Sequence, residues 1–73
     1  MSDERIERIN KMMSNNLKAA RVRAGLSQDE VAKCLKIDRK TYSRWECSPL
    51  SVRPSALMPV LDLYGISPKM LYD

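Results

Sequence analysis

A connection of only three residues, 36–38, between two short helical segments constrains the fold of this chain more than any other feature. The first segment begins after Ser27, and a glutamate three positions later completes a capping box, in which each side chain accepts a hydrogen bond from the other residue's backbone N–H. The second segment begins after an aspartate, a residue type that favours the N-cap position. Because so short a connection forces a sharp crossing, the sequence predicts crossed helices at about 28–35 and 39–47.

Helical spacing recurs along the rest of the chain, and no stretch alternates apolar with polar residues as a half-buried strand does. Apolar residues at spacings of three and four predict an amphipathic helix over residues 3–13. This helix either continues into a second one, predicted over residues 17–24, or stops before it, with Asn16 as the N-cap of the second helix. Gly25 is expected to end the helix that follows. Two prolines predict a loop at residues 48–54. Further helices are predicted over about 56–64 and 68–72.

These elements predict an all-α fold, a compact bundle of about five short helices with a helix-turn-helix at residues 28–46. The domain that carries this motif is expected to span residues 16–73, and residues 1–15 are expected to form an N-terminal helical extension. Pro59 is expected in the first turn of the fourth helix, where its missing N–H costs little. The core is expected to include Cys34, Trp45, Leu57, Met58, Leu61 and Tyr64.

The positive charge of the chain is concentrated in one stretch. The net charge is +4, and residues 33–53 carry six basic and two acidic side chains, so this stretch accounts for all of it. The six cations are Lys33, Lys36, Arg39, Lys40, Arg44 and Arg53. Residues 1–13 are balanced, with three acidic and three basic side chains. The distribution favours a polyanion as the partner of the positive stretch.

The residue types present argue against catalysis and against a metal site. The chain has no histidine, and its two cysteines, Cys34 and Cys47, are too few for a structural zinc site. Gly25 and Gly65 are the only glycines, which excludes a glycine-rich phosphate loop. No apolar run approaches the length of about 18 residues that a membrane span needs. We therefore expect no enzyme activity, no metal, no cofactor and no membrane association, and a cytoplasmic location.

Two stretches of the sequence resemble a known family of DNA-binding domains. LSQDEVA at residues 26–32 and IDRKTYSRWE at residues 37–46 are similar to the phage-repressor/Cro type of helix-turn-helix domain, also called the lambda-repressor-like or xenobiotic-response-element type. The similarity continues to DLYGIS at residues 62–67 and covers about residues 16–72. It implies an all-helical domain that places its second motif helix in the major groove of double-stranded DNA.

The resemblance also implies roles for individual residues. The base-reading positions are matched by Arg39, Lys40 and Arg44, with Ser43 in or beside that set. Phosphate contacts are expected from Gln28, Lys36, Thr41, Ser51 and Arg53. Arg21 and Glu46 match a pair that forms a salt bridge between the first and third helices, since a guanidinium binds a carboxylate in bidentate fashion.

The sequence departs from the family pattern at three places. Lys36 occupies a turn position that is often glycine, and the left-handed conformation required there costs a lysine about 1 kcal/mol or more. Residues 47–49 replace the Asn or Arg followed by Gly that often comes after the Trp-Glu pair. Tyr42 replaces a branched aliphatic residue, so its hydroxyl needs a partner or access to solvent.

The implied function is that of a sequence-specific transcriptional regulator. A small Cro/repressor-like protein of bacterial or phage origin would bind a (pseudo)palindromic operator as a homodimer. Two surfaces are candidates for the dimer contact: the N-terminal helix, with Ile6, Ile9 and Met13, or the last turn, with Ile66, Met70, Leu71 and Tyr72. The alternative is an antitoxin or a protein-interaction module with the same fold and a protein partner such as a toxin or an antirepressor.

Overall fold

Five α-helices and one 3-10 turn make up the fold in the computed structural model, which describes residues 2–72 and the side chains of residues 3–71. The helices are α1 (Ser2–Arg23), α2 (Gln28–Leu35), α3 (Arg39–Cys47), α4 (Pro54–Tyr64) and α5 (Pro68–Tyr72), and the 3-10 turn spans Pro49–Ser51. These residues contain no strand, so the predicted all-α bundle of about five helices is confirmed. The side chain of Tyr72, a candidate dimer contact above, lies outside the described part.

The first helix, α1, continues without a break from the predicted N-terminal extension into the domain that follows it. One of the two alternatives from the sequence, an N-cap at Asn16, is therefore wrong. Asn16 lies within the helix, and its Nδ2 donates a hydrogen bond of 2.9 Å to the carbonyl oxygen of Leu71 in α5. After α1 ends, Gly25 has a φ of +75° and the Leu26 N–H donates to the Arg21 carbonyl oxygen. This left-handed glycine turn is the predicted stop signal.

The capping box that precedes α2 is formed. The Glu30 N–H donates to Ser27 Oγ at 3.1 Å, and the Ser27 N–H donates to Glu30 Oε1 at 3.0 Å. These bonds hold the pKa of the Glu30 carboxyl below its ordinary value. At the other end of α2, Lys36 adopts the left-handed conformation with φ 59° and ψ 45°. Asp38 occupies the N-cap position of α3, but its exposed side chain makes no capping hydrogen bond.

The fourth helix begins two residues earlier than predicted. It starts at Pro54, whose fixed φ suits the first helical position. Pro59 consequently lies inside the helix and not in its first turn, so that expectation was wrong. A proline there removes the N–H that would bond the carbonyl of Ser55, and both Pro59 and Ser55 are exposed residues. Gly65 ends the helix with a φ of +69°.

All five helices contribute to one core. Its buried apolar members are Met13, Leu17, Ala20, Val31, Ala32, Tyr42, Leu57, Val60, Leu61, Tyr64 and Leu71, and Trp45 packs against them half-buried. Two core predictions were wrong. Met58 is 41% exposed, because α4 turns the faces of Leu57 and Leu61 inward instead. Cys34 is exposed, because Val31, Ala32 and Leu35 form the inward face of α2.

Within residues 2–72, no helix combines the length and the apolar character that crossing a bilayer requires.

Candidate nucleic-acid interface

The outer face of α3 carries four polar side chains, which we call the reading face: Arg39, Lys40, Ser43 and Arg44. Their positions repeat at intervals of three and four along the helix, which places them on one side of it. The three cations are exposed, Ser43 is half-buried, and all four line one shallow surface depression together with Cys47. The sequence prediction grouped these four residues, and the structure brings them to one surface.

One residue of the reading face has an acidic neighbour. Arg39 Nε lies 3.6 Å from Asp29 Oδ1, and the two side chains are 66% and 67% exposed. An ion pair so open to water is weak and is screened by salt. Among the described residues, neither Lys40 nor Arg44 lies within 4.0 Å of a carboxylate oxygen. The face therefore presents guanidinium, ammonium and hydroxyl donors that remain available to a ligand.

The inner face of α3 is held by a buried polar network centred on Glu46. Arg21 Nε donates to Glu46 Oε2 at 2.8 Å, so the salt bridge matched by the resemblance is formed. Tyr42 donates its hydroxyl to the same oxygen at 2.7 Å, and Gln28 Nε2 donates to Oε1 at 3.1 Å. The Tyr42 hydroxyl is also hydrogen-bonded to the Tyr64 hydroxyl. The network therefore joins α3 to α1, α2 and α4.

The protonation states of this network follow from its geometry. Burial of Glu46 opposes its charge, but hydrogen bonds from Arg21, Tyr42 and Gln28 outweigh burial and hold the pKa of the carboxyl below its ordinary value. Burial raises the pKa of Tyr42, and burial raises the pKa of Tyr64 to about 12. At neutral pH the carboxylate is charged and both hydroxyls are neutral donors. No buried polar side-chain atom among the described residues lacks a partner.

The five residues expected at phosphates lie in five different segments between the start of α2 and the start of α4. Gln28 begins α2 half-buried, with its amide nitrogen directed to Glu46, and Thr41 is half-buried on α3. Lys36 is exposed in the turn, and Arg53 is exposed just before α4. Ser51 is exposed, but its hydroxyl donates to the Ser48 carbonyl oxygen at 2.7 Å. None of the five lines the depression of the reading face.

Sequence reasoning missed two residues that position the site. Tyr64 was assigned to the core without its hydroxyl contact, although the need of the Tyr42 hydroxyl for a partner was a signal. Asn10 gave no signal. Its Nδ2 donates to the Cys47 carbonyl oxygen at 3.4 Å, and its Oδ1 accepts from the Leu50 N–H at 3.1 Å. This one side chain thus holds the start of the loop after α3 against α1.

The site offers hydrogen-bond donors and positive charge. Cys34 and Cys47 are free thiols on the surface. In the part of the chain that the structure describes, no three side chains of the metal-binding types lie close enough together to hold an ion. With these donors, which all lie on the one helix α3, the site can bind an anion or the edge of a base.

Comparison with known proteins assigns this arrangement to a family. No curated protein and no solved structure matches the chain significantly. A family model described as a helix-turn-helix domain matches residues 13–71. The matched range includes both crossed helices, the Lys36 turn between them and the whole Glu46 network. The chain therefore belongs to this helix-turn-helix domain family, a family of DNA-binding domains.

Proposed function

We propose that the protein is a sequence-specific transcriptional regulator of the Cro/repressor type, which places α3 in the major groove of double-stranded DNA. The observation that carries this proposal is the two-sided character of α3. Its outer side presents the four donors of the reading face beside Cys47, and its inner side is anchored through Glu46 and Tyr42 to three other helices. A helix held this firmly keeps its donors in register with base edges, which specific readout requires.

The reading face suits direct readout of bases. The guanidinium groups of Arg39 and Arg44 match the paired acceptors that guanine presents in the major groove. Lys40 supplies a point charge with three donors, and Ser43 supplies a hydroxyl that can donate or accept. Bidentate contacts of this kind discriminate against the wrong base by about 1–3 kcal/mol each.

Phosphate contacts from the surrounding elements would set the orientation of α3 on the duplex. We assign them to Gln28, Lys36, Thr41, Ser51 and Arg53. Gln28 has a second N–H on its amide beyond the one given to Glu46, so it can hold α3 and a phosphate at once. Such contacts carry affinity and salt dependence but no sequence information.

A homodimer follows from the small size of the reading face, since four side chains distinguish only a few base pairs. Two copies on half-sites about 34 Å apart, one turn of the duplex, would present two reading faces to one side of the DNA. We assign DNA binding to residues 16–73 and treat residues 1–15 as an extension whose balanced charge gives it no net attraction to phosphates. The protein would act in the cytoplasm of a bacterium or of a phage-infected cell.

Selection of bound duplexes from a random DNA pool, at a low and a high salt concentration, tests the proposal. The expected result is a short motif, repeated with inverted symmetry about one helical turn apart, that persists at high salt. Enrichment of no motif at either salt concentration would contradict specific binding. Co-purification of a toxin-like protein from the native host, together with an unenriched pool, would favour the interaction module instead.

A further inference from the structure

One carboxylate among the described residues lies within ion-pair distance of the reading face. Asp29 Oδ1 is 3.6 Å from Arg39 Nε, and neither Lys40 nor Arg44 has a carboxylate oxygen within 4.0 Å. At 3.6 Å the contact is too long for a hydrogen bond, so the carboxylate attracts the guanidinium without occupying an N–H group. The contact therefore biases the position of the guanidinium and still leaves its five N–H donors to a ligand.

The start of α2 holds the backbone of Asp29 in place. The neighbouring carboxylate, that of Glu30, accepts the Ser27 N–H in the capping box, so it is directed to the end of the helix. Gln28 Nε2 donates to Glu46 Oε1 at 3.1 Å, which ties the first turn of α2 to the inner side of α3. Asp29 takes part in neither contact. Its carboxylate can therefore act on the outer side of α3 from a fixed backbone position.

Arg39 needs such guidance because its side chain is long and 66% exposed. A guanidinium in the major groove can bond the paired acceptors of a guanine, or it can turn to a phosphate. The phosphate contact is available on every duplex and carries no sequence information. A reading residue therefore contributes to specificity only as far as its base contact is favoured over its phosphate contact.

We propose that Asp29 determines specificity by making Arg39 favour the base contact over the phosphate contact. The inference rests on the proposed DNA-binding function and deepens it, since it names a residue outside the reading face that decides how that face reads. A guanine edge carries no net charge, whereas a phosphate has the same sign of charge as Asp29. The carboxylate therefore repels a phosphate that approaches Arg39 more than it opposes a base. Such a repulsive element raises discrimination at the expense of affinity.

The effect belongs to the DNA complex and not to the free chain. Asp29 and Arg39 are 67% and 66% exposed, so water and salt weaken their attraction before DNA binds. When α3 enters the groove, water is excluded around both side chains and the effective dielectric constant falls. The same charges then interact more strongly with each other and with a phosphate. Loss of the carboxylate should consequently change the base preference while leaving the stability of the free chain almost unchanged.

Binding of the wild type and of Asp29→Asn to two duplexes tests the proposal. One duplex carries the selected site, and the other differs from it at the base pair where Arg39→Ala relaxes the preference. Asp29→Asn should gain about three times more affinity for the altered duplex than for the selected one at low salt, so the preference for the correct base falls about threefold. Asp3→Asn is the matched control, because it makes the same change of charge in the first turn of another helix and should leave the preference unchanged. Both positions are exposed, so urea unfolding should show little change in stability for either variant.

A second comparison shows whether Asp29 acts through Arg39. In the Arg39→Ala protein, Asp29→Asn should leave the preference at this base pair unchanged, since the side chain that it guides is gone. An unchanged preference in Asp29→Asn alone, or a change that persists without Arg39, would overturn the inference and leave the DNA-binding function standing. A random pool that yields no site, or a wild-type protein that binds both duplexes equally, would contradict the function and the inference together.

Discussion

Arg21 Nε lies 2.8 Å from Glu46 Oε2, and this ion pair joins the first helix to the helix that carries the reading face. The same guanidinium donates through Nη1 to the Leu26 carbonyl oxygen at 2.8 Å, so it also holds the turn before α2. The side chains of Arg21 and Glu46 are only 11% and 5% exposed. This largely buried pair thus helps to set the position of α3 relative to the rest of the domain, and the first two predictions depend on it.

Glu46→Ala should lower the free energy of unfolding by about 3 kcal/mol or more, because it removes the carboxylate that accepts from both the Arg21 guanidinium and the buried Tyr42 hydroxyl. Urea unfolding followed by circular dichroism measures the change. Glu7→Ala, which removes an exposed carboxylate from α1, is the control and should change stability little. A loss below about 1 kcal/mol at Glu46 would show that the network contributes little to stability.

Stability should fall in acid because of the same carboxylate. The folded-state pKa of Glu46 lies below its ordinary value of 4.5, so the stability it contributes is complete above that value and is lost as the pH falls through the folded-state pKa. Thermal unfolding between pH 7 and about pH 3 should therefore show a falling Tm below about pH 4.5. In Glu46→Gln, which has no charge to lose, the starting Tm should be lower and the decline shallower. If Tm falls equally steeply with pH in both proteins, the loss of stability in acid does not come from Glu46.

Lys36→Gly should stabilise the fold by up to about 1 kcal/mol, because a lysine with φ 59° and ψ 45° carries a steric cost that glycine avoids. Lys33, in the last turn of α2, provides a control in which the same substitution should have the opposite effect. Lys33→Gly places glycine inside a helix and should cost about 1 kcal/mol. If both substitutions shift the urea midpoint in the same direction, the turn conformation is not the source of the effect.

Asp29→Asn should strengthen DNA binding about two- to fivefold at low salt, since it frees Arg39 from an exposed ion pair and removes a negative charge beside the reading face. Fluorescence anisotropy on the selected site measures the change, which should shrink as salt rises. Asp3→Asn changes the net charge equally but lies on the first turn of α1. An equal gain from that control would assign the effect to net charge alone.

Much of the fold was predictable because its signals are local. The capping box at Ser27, the glycine stops at Gly25 and Gly65 and the spacing of apolar residues each lie within a few positions of the structure they specify. The inward face of α4 was predicted less well. Helical spacing alone admits both Leu57 and Met58, and only packing against the other helices leaves Met58 exposed.

Part of the site depends on contacts between distant segments and could not be predicted in the same way. The four residues of the reading face follow from the register of one helix, and the Arg21–Glu46 pair came from the family resemblance. The hydroxyl contact of Tyr42 with Tyr64 joins residues 22 positions apart, and Asn10 reaches a carbonyl 37 positions away. No local pattern encodes such pairs, because they depend on how the helices pack.

The most direct test of the central claim compares Arg39→Ala with Arg8→Ala on the DNA site obtained by selection. Both changes remove one exposed arginine, but Arg39 belongs to the reading face and Arg8 lies on the solvated side of α1. The account predicts that Arg39→Ala weakens binding by about 1–3 kcal/mol and relaxes the preference at one base pair, while Arg8→Ala does neither. Binding by Arg39→Ala with unchanged affinity and unchanged sequence preference would contradict the assignment of α3 as the helix that reads DNA.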